Sequence, residues 1–491
     1  MRNFSAGELF RSKRTFFAVA GLTVLLFCAA NLPWQLDDYD QAKQAFTSFE
    51  MIKEGHWLYQ HTPNGRVATK PPLVGWTSAA LFVVTRSWGA AWRLPSLLAA
   101  IALATLLTRV ATSAYGRAAG LVAFGAFSWN LFTPRLATLV RTDMPLALTV
   151  FLIGTVIWEK IRNEEPCKRS EQLSIFALLT AALLIKGPIV YAFLLPGVAA
   201  FAYCRGSDRV ASAWCGWLPW TAPLGVFLVW LVGGIRSESR FFDEVVRREF
   251  LARFGETIHH PQPLLFYLPH LLHKFFPWSA LMLALGVVAL GLHRWNLRSA
   301  FRQTSPSTLW LVCWSLGGLI FMSFVPSKRV DRIFPMVPPL CLLLASQLAR
   351  VGSEDKARDR VYRWSAAALL LSILFAGGYS VAKVVTGYHE HRDALAAFGR
   401  EIRNQAAANH WRYEVIRGRD EAILLYLEKT HFAEPAKAIR QWNVGQLDAL
   451  VIPDDQLPQF LARLRDVGSP SMQSGRRKNV DRPNYMLLTR D

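Results

Sequence analysis

The sequence predicts a polytopic α-helical membrane protein with a small α/β domain at its C-terminal end. Three observations predict it. Apolar stretches recur from the N-terminus to about residue 384, and runs of roughly 17 to 25 residues are long enough to cross a bilayer as helices. Of the 491 residues, 52% are hydrophobic and only 18% are charged, whereas soluble domains carry about 25% charge. After about Val385 the pattern changes to helices alternating with short buried strands, the signature of a small mixed layer fold.

The first element is an apolar run over about Thr15 to Leu32, preceded by Arg2, Arg11, Lys13 and Arg14. It is long for a signal-peptide core, so an uncleaved first helix with a cytoplasmic N-terminus is expected. Further apolar runs lie near 73–85, 94–112, 118–134, 143–158, 173–185, 187–203, 213–234, 264–292, 308–325, 333–349 and 363–384. The 73–85 run is too short to span and is expected at the interface or as a re-entrant segment. In 264–292 the first half, PLLFYLPHLLHKFF, is expected to be interfacial and to lead into one helix. The count is therefore about eleven to thirteen transmembrane helices.

With eleven, the loops KIRNEEPCKRSEQ, HRWNLRSAFRQ and RVGSEDKARDRVYR fall on the cytoplasmic side, where the positive-inside rule wants them. Arg86 and Arg93 then fall outside, against the rule. The loops 33–92 and 234–262, the stretch Arg141–Asp143 and the turn Pro326–Arg332 share the outer face. A transmembrane domain is expected over 1–384 and a soluble α/β domain over 385–491, periplasmic in a Gram-negative cell. In that domain HRDALAAFGREIRNQAAANH, EAILLYLEKT and DQLPQFLARLRDV read as helices, and YEVIR, ALVIP and YMLLTR as strands.

The net charge of +20 fits basic cytoplasmic loops and contact with anionic headgroups or anionic lipid substrates. Nucleic acid is not an expected partner. Cys28, Cys167, Cys204, Cys215, Cys313 and Cys341 show no CxxC spacing and no disulfide framework, so packing is expected for all six.

Several outer-face residues can carry chemistry. Asp37, Asp38 and Asp40 follow the first helix; a carboxylate there serves as general base or as helix N-cap. Asp143, in RTDMPLAL at the mouth of a span, is a cap or a functional ionisable group. Lys70 stands before Pro71 and Pro72, whose rings fix the backbone, and is either a phosphate-binding point charge or a snorkelling lysine. Lys186 interrupts an apolar run at an outer hairpin. Lys328, Arg329 and Arg332 crowd one turn beside a single aspartate, which calls for an anionic ligand such as phosphate. The loop FFDEVVRREFLARFGETIHHPQP is amphipathic, with Arg247 and Arg248 on its polar side. His259 and His260 are adjacent and so do not form a helical metal pair. No metal-ligating set is read from the sequence.

DQAKQAFTSFEMIKEGHW, TKPPLVGW, RLPSLLAA, RTDMPLAL, LIKGP, HHPQPLLFYLP, FFPWS and SKRVDRIFPMVPPL follow in that order. Together they resemble bacterial lipid-linked-sugar glycosyltransferases of the GT-C fold. The nearest branch contains the lipid A aminoarabinose transferases and relatives of the protein O-mannosyltransferases. The resemblance covers nearly the whole chain. It implies an active site on the periplasmic face of the inner membrane and a sugar donor carried on undecaprenyl phosphate. It implies an acceptor that is lipid A, another envelope glycolipid or a protein. Asp40 and Asp143 then take the places of the family's two aspartates, with Asp37, Asp38, Lys186 and His260 as further candidates. Lys70 takes the place of the lysine on the donor phosphate, joined by Arg247, Arg248, Lys328, Arg329 and Arg332. Two positions depart from the pattern. Thr69 stands where relatives often carry a glutamate, sometimes used for metal, and Arg332 stands where they carry a tyrosine. No cofactor follows from the resemblance, and a divalent metal has no support at the Thr69 position. A transporter or flippase is the rival class, although such proteins concentrate polar groups near the bilayer midplane and often show internal repeats, which this chain does not.

Overall fold

The structure is a computed structural model that describes residues 12–36, 39–205, 215–251, 262–292, 295, 303–418, 421–468, 470–474 and 484–490. Among these, six helices are long and apolar enough to cross a membrane, or seven if one bent pair counts as a single span. Three shorter apolar helices, Leu73–Thr85, Arg117–Ser128 and Ile189–Arg205, accompany them. The chain is a multi-pass membrane protein. It divides into two compact units.

The first unit comprises 1–30, 69–74 and 93–381. Its centre is the crossing of helices Ile189–Arg205 and Pro306–Phe324. In lipid, helices associate through close packing, for which small residues are needed. A Cβ on Gly197 would stand 2.7 Å from the Cα of Trp314, and one on Gly317 would stand 2.7 Å from the Gly197 nitrogen. The glycines therefore set the distance at which the two backbones meet. Trp310 and Trp314 stack along the crossing, and the Trp310 indole donates to the Gly154 carbonyl at 3.1 Å, tying in the Asp143–Asn163 helix.

Two apolar runs are interrupted for local reasons. The 118–134 run ends as a helix at Ser128 because the Asn130 amide competes for the backbone. Its nitrogen donates to the carbonyls of Ala126 and Phe127, and its oxygen accepts the N–H groups of Phe132 and Thr133. The 264–292 run turns by 99° between Leu264–Lys274 and Trp278–Gly291, where Pro277 has no N–H to continue the helix.

One expectation is corrected. Cys167 and Cys215 form a disulfide, with Cα atoms 5.1 Å apart. Spacing did not reveal it because the two cysteines are 48 positions apart, with helices Arg169–Lys186 and Ile189–Arg205 between them. Cys167 lies just before helix Arg169–Lys186 and Cys215 just before Leu218–Ser237, two helices that pack together. Folding therefore brings the two residues before the helix starts side by side.

The second unit comprises 31–68, 75–92 and 382–491. It joins the first large loop to the C-terminal α/β region. Strands β1 (Tyr413–Val415), β2 (Ala449–Pro453), β3 (Met472–Gln473) and β4 (Tyr485–Thr489) form one sheet in the order β1-β2-β4-β3. β1 and β2 are parallel, while β4 runs antiparallel to both β2 and β3. All five residues of β2 are buried, as expected of a strand covered on both faces. Ile416, Trp442, Leu450, Ile452, Phe460 and Leu488 make one core, with the Trp442 indole satisfied by the Arg465 carbonyl at 2.7 Å.

The three expected strands and the Ala394–Ala408 helix are in place. The Leu457–Leu461 helix is shorter than its apolar pattern suggests, and Pro435–Asn443 is a helix the sequence reading passed over. The loop is tied down within this unit. The Leu36 N–H donates to the Tyr426 hydroxyl at 2.9 Å, Asn64 donates to Glu421, and helix Tyr39–Glu54 packs on Ala422–Leu427.

Candidate active site

A cavity of about 790 Å³ lies within the first unit. Its polar wall is Thr69, Lys70, Lys186 and Arg332. Each is placed by a backbone feature. Lys70 is held ahead of Pro71 and Pro72 at the entry to helix Leu73–Thr85. Lys186 is the last residue of its helix, which ends at Gly187 with φ of +79°; only glycine adopts that angle without strain. Arg332 sits in the tight 3₁₀ turn Val330–Met336, its guanidinium donating to the Ser327 carbonyl.

The apolar wall runs down one face of Ile189–Arg205, through Ile189, Ala192, Leu195 and Ala199. At a rise of 1.5 Å per residue that face extends roughly 15 Å. Phe227 and Phe321 close it from neighbouring helices. Lys186 lies immediately before the start of this face, and Lys70 is close enough to act on the Asp143 carboxylate that Lys186 pairs with.

Asp143 is absent from the cavity wall and partners Lys186. Its carboxylate is 2.5 Å from the Lys186 ammonium, and both are largely buried. Lys70 and Arg141 also act on it electrostatically. A second cluster lies nearby in the same unit. Asp331 accepts from Arg141 at 2.8 Å and has Arg135 at 3.6 Å.

The turn that crowds Lys328, Arg329 and Arg332 in sequence is not one cluster in space. Arg332 faces the cavity, whereas Lys328 is buried and donates to the Gln262 carbonyl at 3.0 Å. Burial holds the Lys328 ammonium below the usual lysine range. Arg329 is half-buried and is absent from the cavity wall. Arg247 and Arg248 are exposed on Phe242–Leu251, a helix of π winding, and Arg247 pairs with Asp243 at 3.5 Å. Neither arginine lines the cavity, although their neighbour Val246 does.

Asp40 is half-buried in the first turn of helix Tyr39–Glu54, in the second unit. Asp37, Asp38 and His260 lie outside the described residues. The sequence reading passed over Arg135 and Arg141 as partners of Asp331. The only signal was an arginine two residues before Asp143. Thr69 contributes a hydroxyl, and among the described residues the cavity wall has no carboxylate or histidine. The donor set there does not suit a divalent metal.

The chain is similar in fold to ArnT from Cupriavidus metallidurans bound to undecaprenyl phosphate. The TM-score is 0.68 at 16% identity, over 97% of this chain and 98% of that one. The chain has the GT-C fold. A second GT-C neighbour is the apo oligosaccharyltransferase of Archaeoglobus fulgidus, with TM-score 0.53 and 10% identity, covering 91% of this chain and 70% of that one. In sequence the GT-C chain is similar to the undecaprenyl phosphate-alpha-4-amino-4-deoxy-L-arabinose arabinosyl transferase 1 of Sodalis glossinidius. The identity is 27% over 372 residues, 70% of this chain and 59% of the relative. The corresponding transferase of Yersinia pestis is 25% identical over 384 residues, 76% of this chain and 65% of the relative. The chain thus spans less than two thirds of the length of these relatives. No family model matches the chain.

Proposed function

We propose that this protein is a glycosyltransferase of the bacterial inner membrane. It moves a sugar from an undecaprenyl-phosphate donor to an envelope acceptor, lipid A in the first instance, on the periplasmic face. The observation that carries the reading is the cavity, whose largely apolar wall also holds the cations Lys70, Lys186 and Arg332. A polyprenyl phosphate has that polarity, a doubly ionisable head on a hydrocarbon tail. The similarity to aminoarabinose transferases supports a pentose donor.

In the reaction an acceptor oxygen attacks the anomeric carbon, and the bond from that carbon to the phosphate oxygen breaks. Undecaprenyl phosphate departs with the bonding pair. Positive charge develops on the sugar and negative charge on the leaving phosphate. Lys70, Lys186 and Arg332 stabilise the second, and fixed charges in a water-poor site are worth far more than in bulk solvent. Asp143 holds Lys186 in place. Asp40 is the proposed carboxylate toward the acceptor. It takes the proton where the acceptor is a hydroxyl; a phosphate acceptor is already ionised and needs no base, and there the carboxylate stabilises the positive charge that develops on the sugar. The C-terminal α/β region is proposed to be periplasmic.

The test is mass spectrometry of lipid A and total envelope glycolipids in a strain lacking the protein, complemented with wild type or with Lys70→Ala. A sugar-sized mass restored by wild type and not by the variant is expected. Identical lipid profiles in all three strains overturn the reading.

A further inference from the structure

Helix Tyr39–Glu54 and the loop after it bring together groups that the transfer reaction does not use. Glu50 is buried, its side chain 3% exposed. One carboxylate oxygen, Oε1, lies 2.8 Å from His56 Nδ1 and 3.0 Å from His61 Nδ1. The other, Oε2, accepts the His61 backbone N–H at 2.5 Å. The two rings meet edge to face with centroids 4.8 Å apart. One ligand atom from each of the three residues therefore lies within 4.8 Å of the others.

Both histidines turn the same nitrogen toward one carboxylate oxygen. Zinc bonds of about 2.0–2.1 Å to nitrogen and oxygen place tetrahedral donors roughly 3.4 Å apart. The two oxygen–nitrogen separations, 2.8 and 3.0 Å, open by about 0.4–0.6 Å to admit the ion, and the two histidine nitrogens, within 4.8 Å of each other, close toward the same spacing. Two histidines and a glutamate with one open position is a recurrent zinc set. The backbone N–H on Oε2 fixes the orientation of the carboxylate, as outer-shell groups do in metal sites.

The open side is also accounted for. His56 is 44% exposed, and Glu54 Oε2 lies 3.8 Å from its Nδ1. Glu54 is one helical turn beyond Glu50 and so shares its face. Its other oxygen is 3.7 Å from His431 Nδ1. The helix ends at Gly55, whose φ of +81° turns the chain back so that His56 returns toward Glu50. All the donors from Glu50 to His61 lie on one short segment, so little chain entropy is lost in bringing them together.

We propose that Glu50, His56 and His61 form a zinc site, with Glu54 or water as fourth donor, that clamps this loop onto its helix. The site is separate from the phosphate-binding cavity and does not depend on the proposed transfer reaction. It is also distinct from the Thr69 position, where metal donors are missing.

The full-length protein, purified in detergent, is loaded with zinc and dialysed against metal-free buffer, and the metal is counted by mass spectrometry. About one zinc per chain is expected in the wild type. His61→Ala and the double variant His56→Ala/His61→Ala are expected to lose it. Cobalt(II) in the wild type is expected to give the intense visible bands of a tetrahedral site, which keeps the question decidable if a variant does not fold. A wild type that retains no zinc and gives no such bands overturns the site. So does a folded double variant that retains as much zinc as the wild type.

Discussion

Two clusters of charge in the first unit look alike in sequence and differ in space. At Asp331, two arginines converge on one carboxylate, and Arg141 is almost fully buried. At Asp143, one lysine is paired, and it stands on a cavity wall with two further cations. In the first cluster the buried Arg141 is matched by Asp331, and the other arginine, Arg135, is 43% exposed to solvent. The second holds more positive charge toward the cavity than its own carboxylate can match. Buried ion pairs are weak evidence for stability, but removing one partner is costly because the other is left charged and unsolvated. A cation is read as structural or ligand-binding by what its surplus charge faces, not by its residue type.

That comparison can be broken in four ways, in decreasing order of effect. Asp331→Ala takes from the buried Arg141 its 2.8 Å carboxylate partner, and a destabilisation of about 3 kcal/mol is expected. It is measured as thermal unfolding in detergent, with Asp331→Met/Arg141→Met recovering much of the loss. Next, Lys70→Ala should lower transfer by about 100-fold, the scale of losing one charged contact to a transition state. Its melting temperature should stay near wild type; an equal loss of stability would return Lys70 to the structural class. Arg332→Gln should cost about tenfold, mostly in donor KM, because the phosphate keeps its lysines and loses one charge-assisted hydrogen bond.

The smallest effect is outside the membrane. Hydrogen bonds from the Arg412 side chain and backbone hold the Asp448 carboxyl below the usual carboxylate range. A depressed carboxylate stabilises the fold above its unfolded pKa of about 3.9 and ceases to do so as pH falls through its lower folded value. Asp448→Asn should therefore narrow the gap to wild type only in acid, read as unfolding midpoints below about pH 4.

The helices were legible because lipid imposes a length and a polarity that composition records directly. The strands ALVIP and YMLLTR were legible because a doubly covered strand is apolar throughout. What escaped was whatever depends on pairing across the sequence. The Cys167–Cys215 bridge needed two helix starts to adjoin. The division of Lys328 from Arg332 needed the Gln262 carbonyl, far away in the chain. The Glu50, His56 and His61 group escaped for a different reason. Its donors are close in sequence, but their spacing follows neither helix nor strand periodicity, because a glycine turn lies between them.

Leu195 and Phe321 belong to the cavity wall and are also exposed on the helices that form it, 39% and 44% respectively. On the proposed function, exposed hydrocarbon on these two apolar helices would let a lipid donor enter sideways, from the bilayer, by lateral diffusion and without passing through water. Turnover would follow the mole fraction of donor among the surrounding lipids. Adding inert detergent at constant donor molarity would slow the enzyme by dilution in two dimensions, leaving the protein itself unchanged.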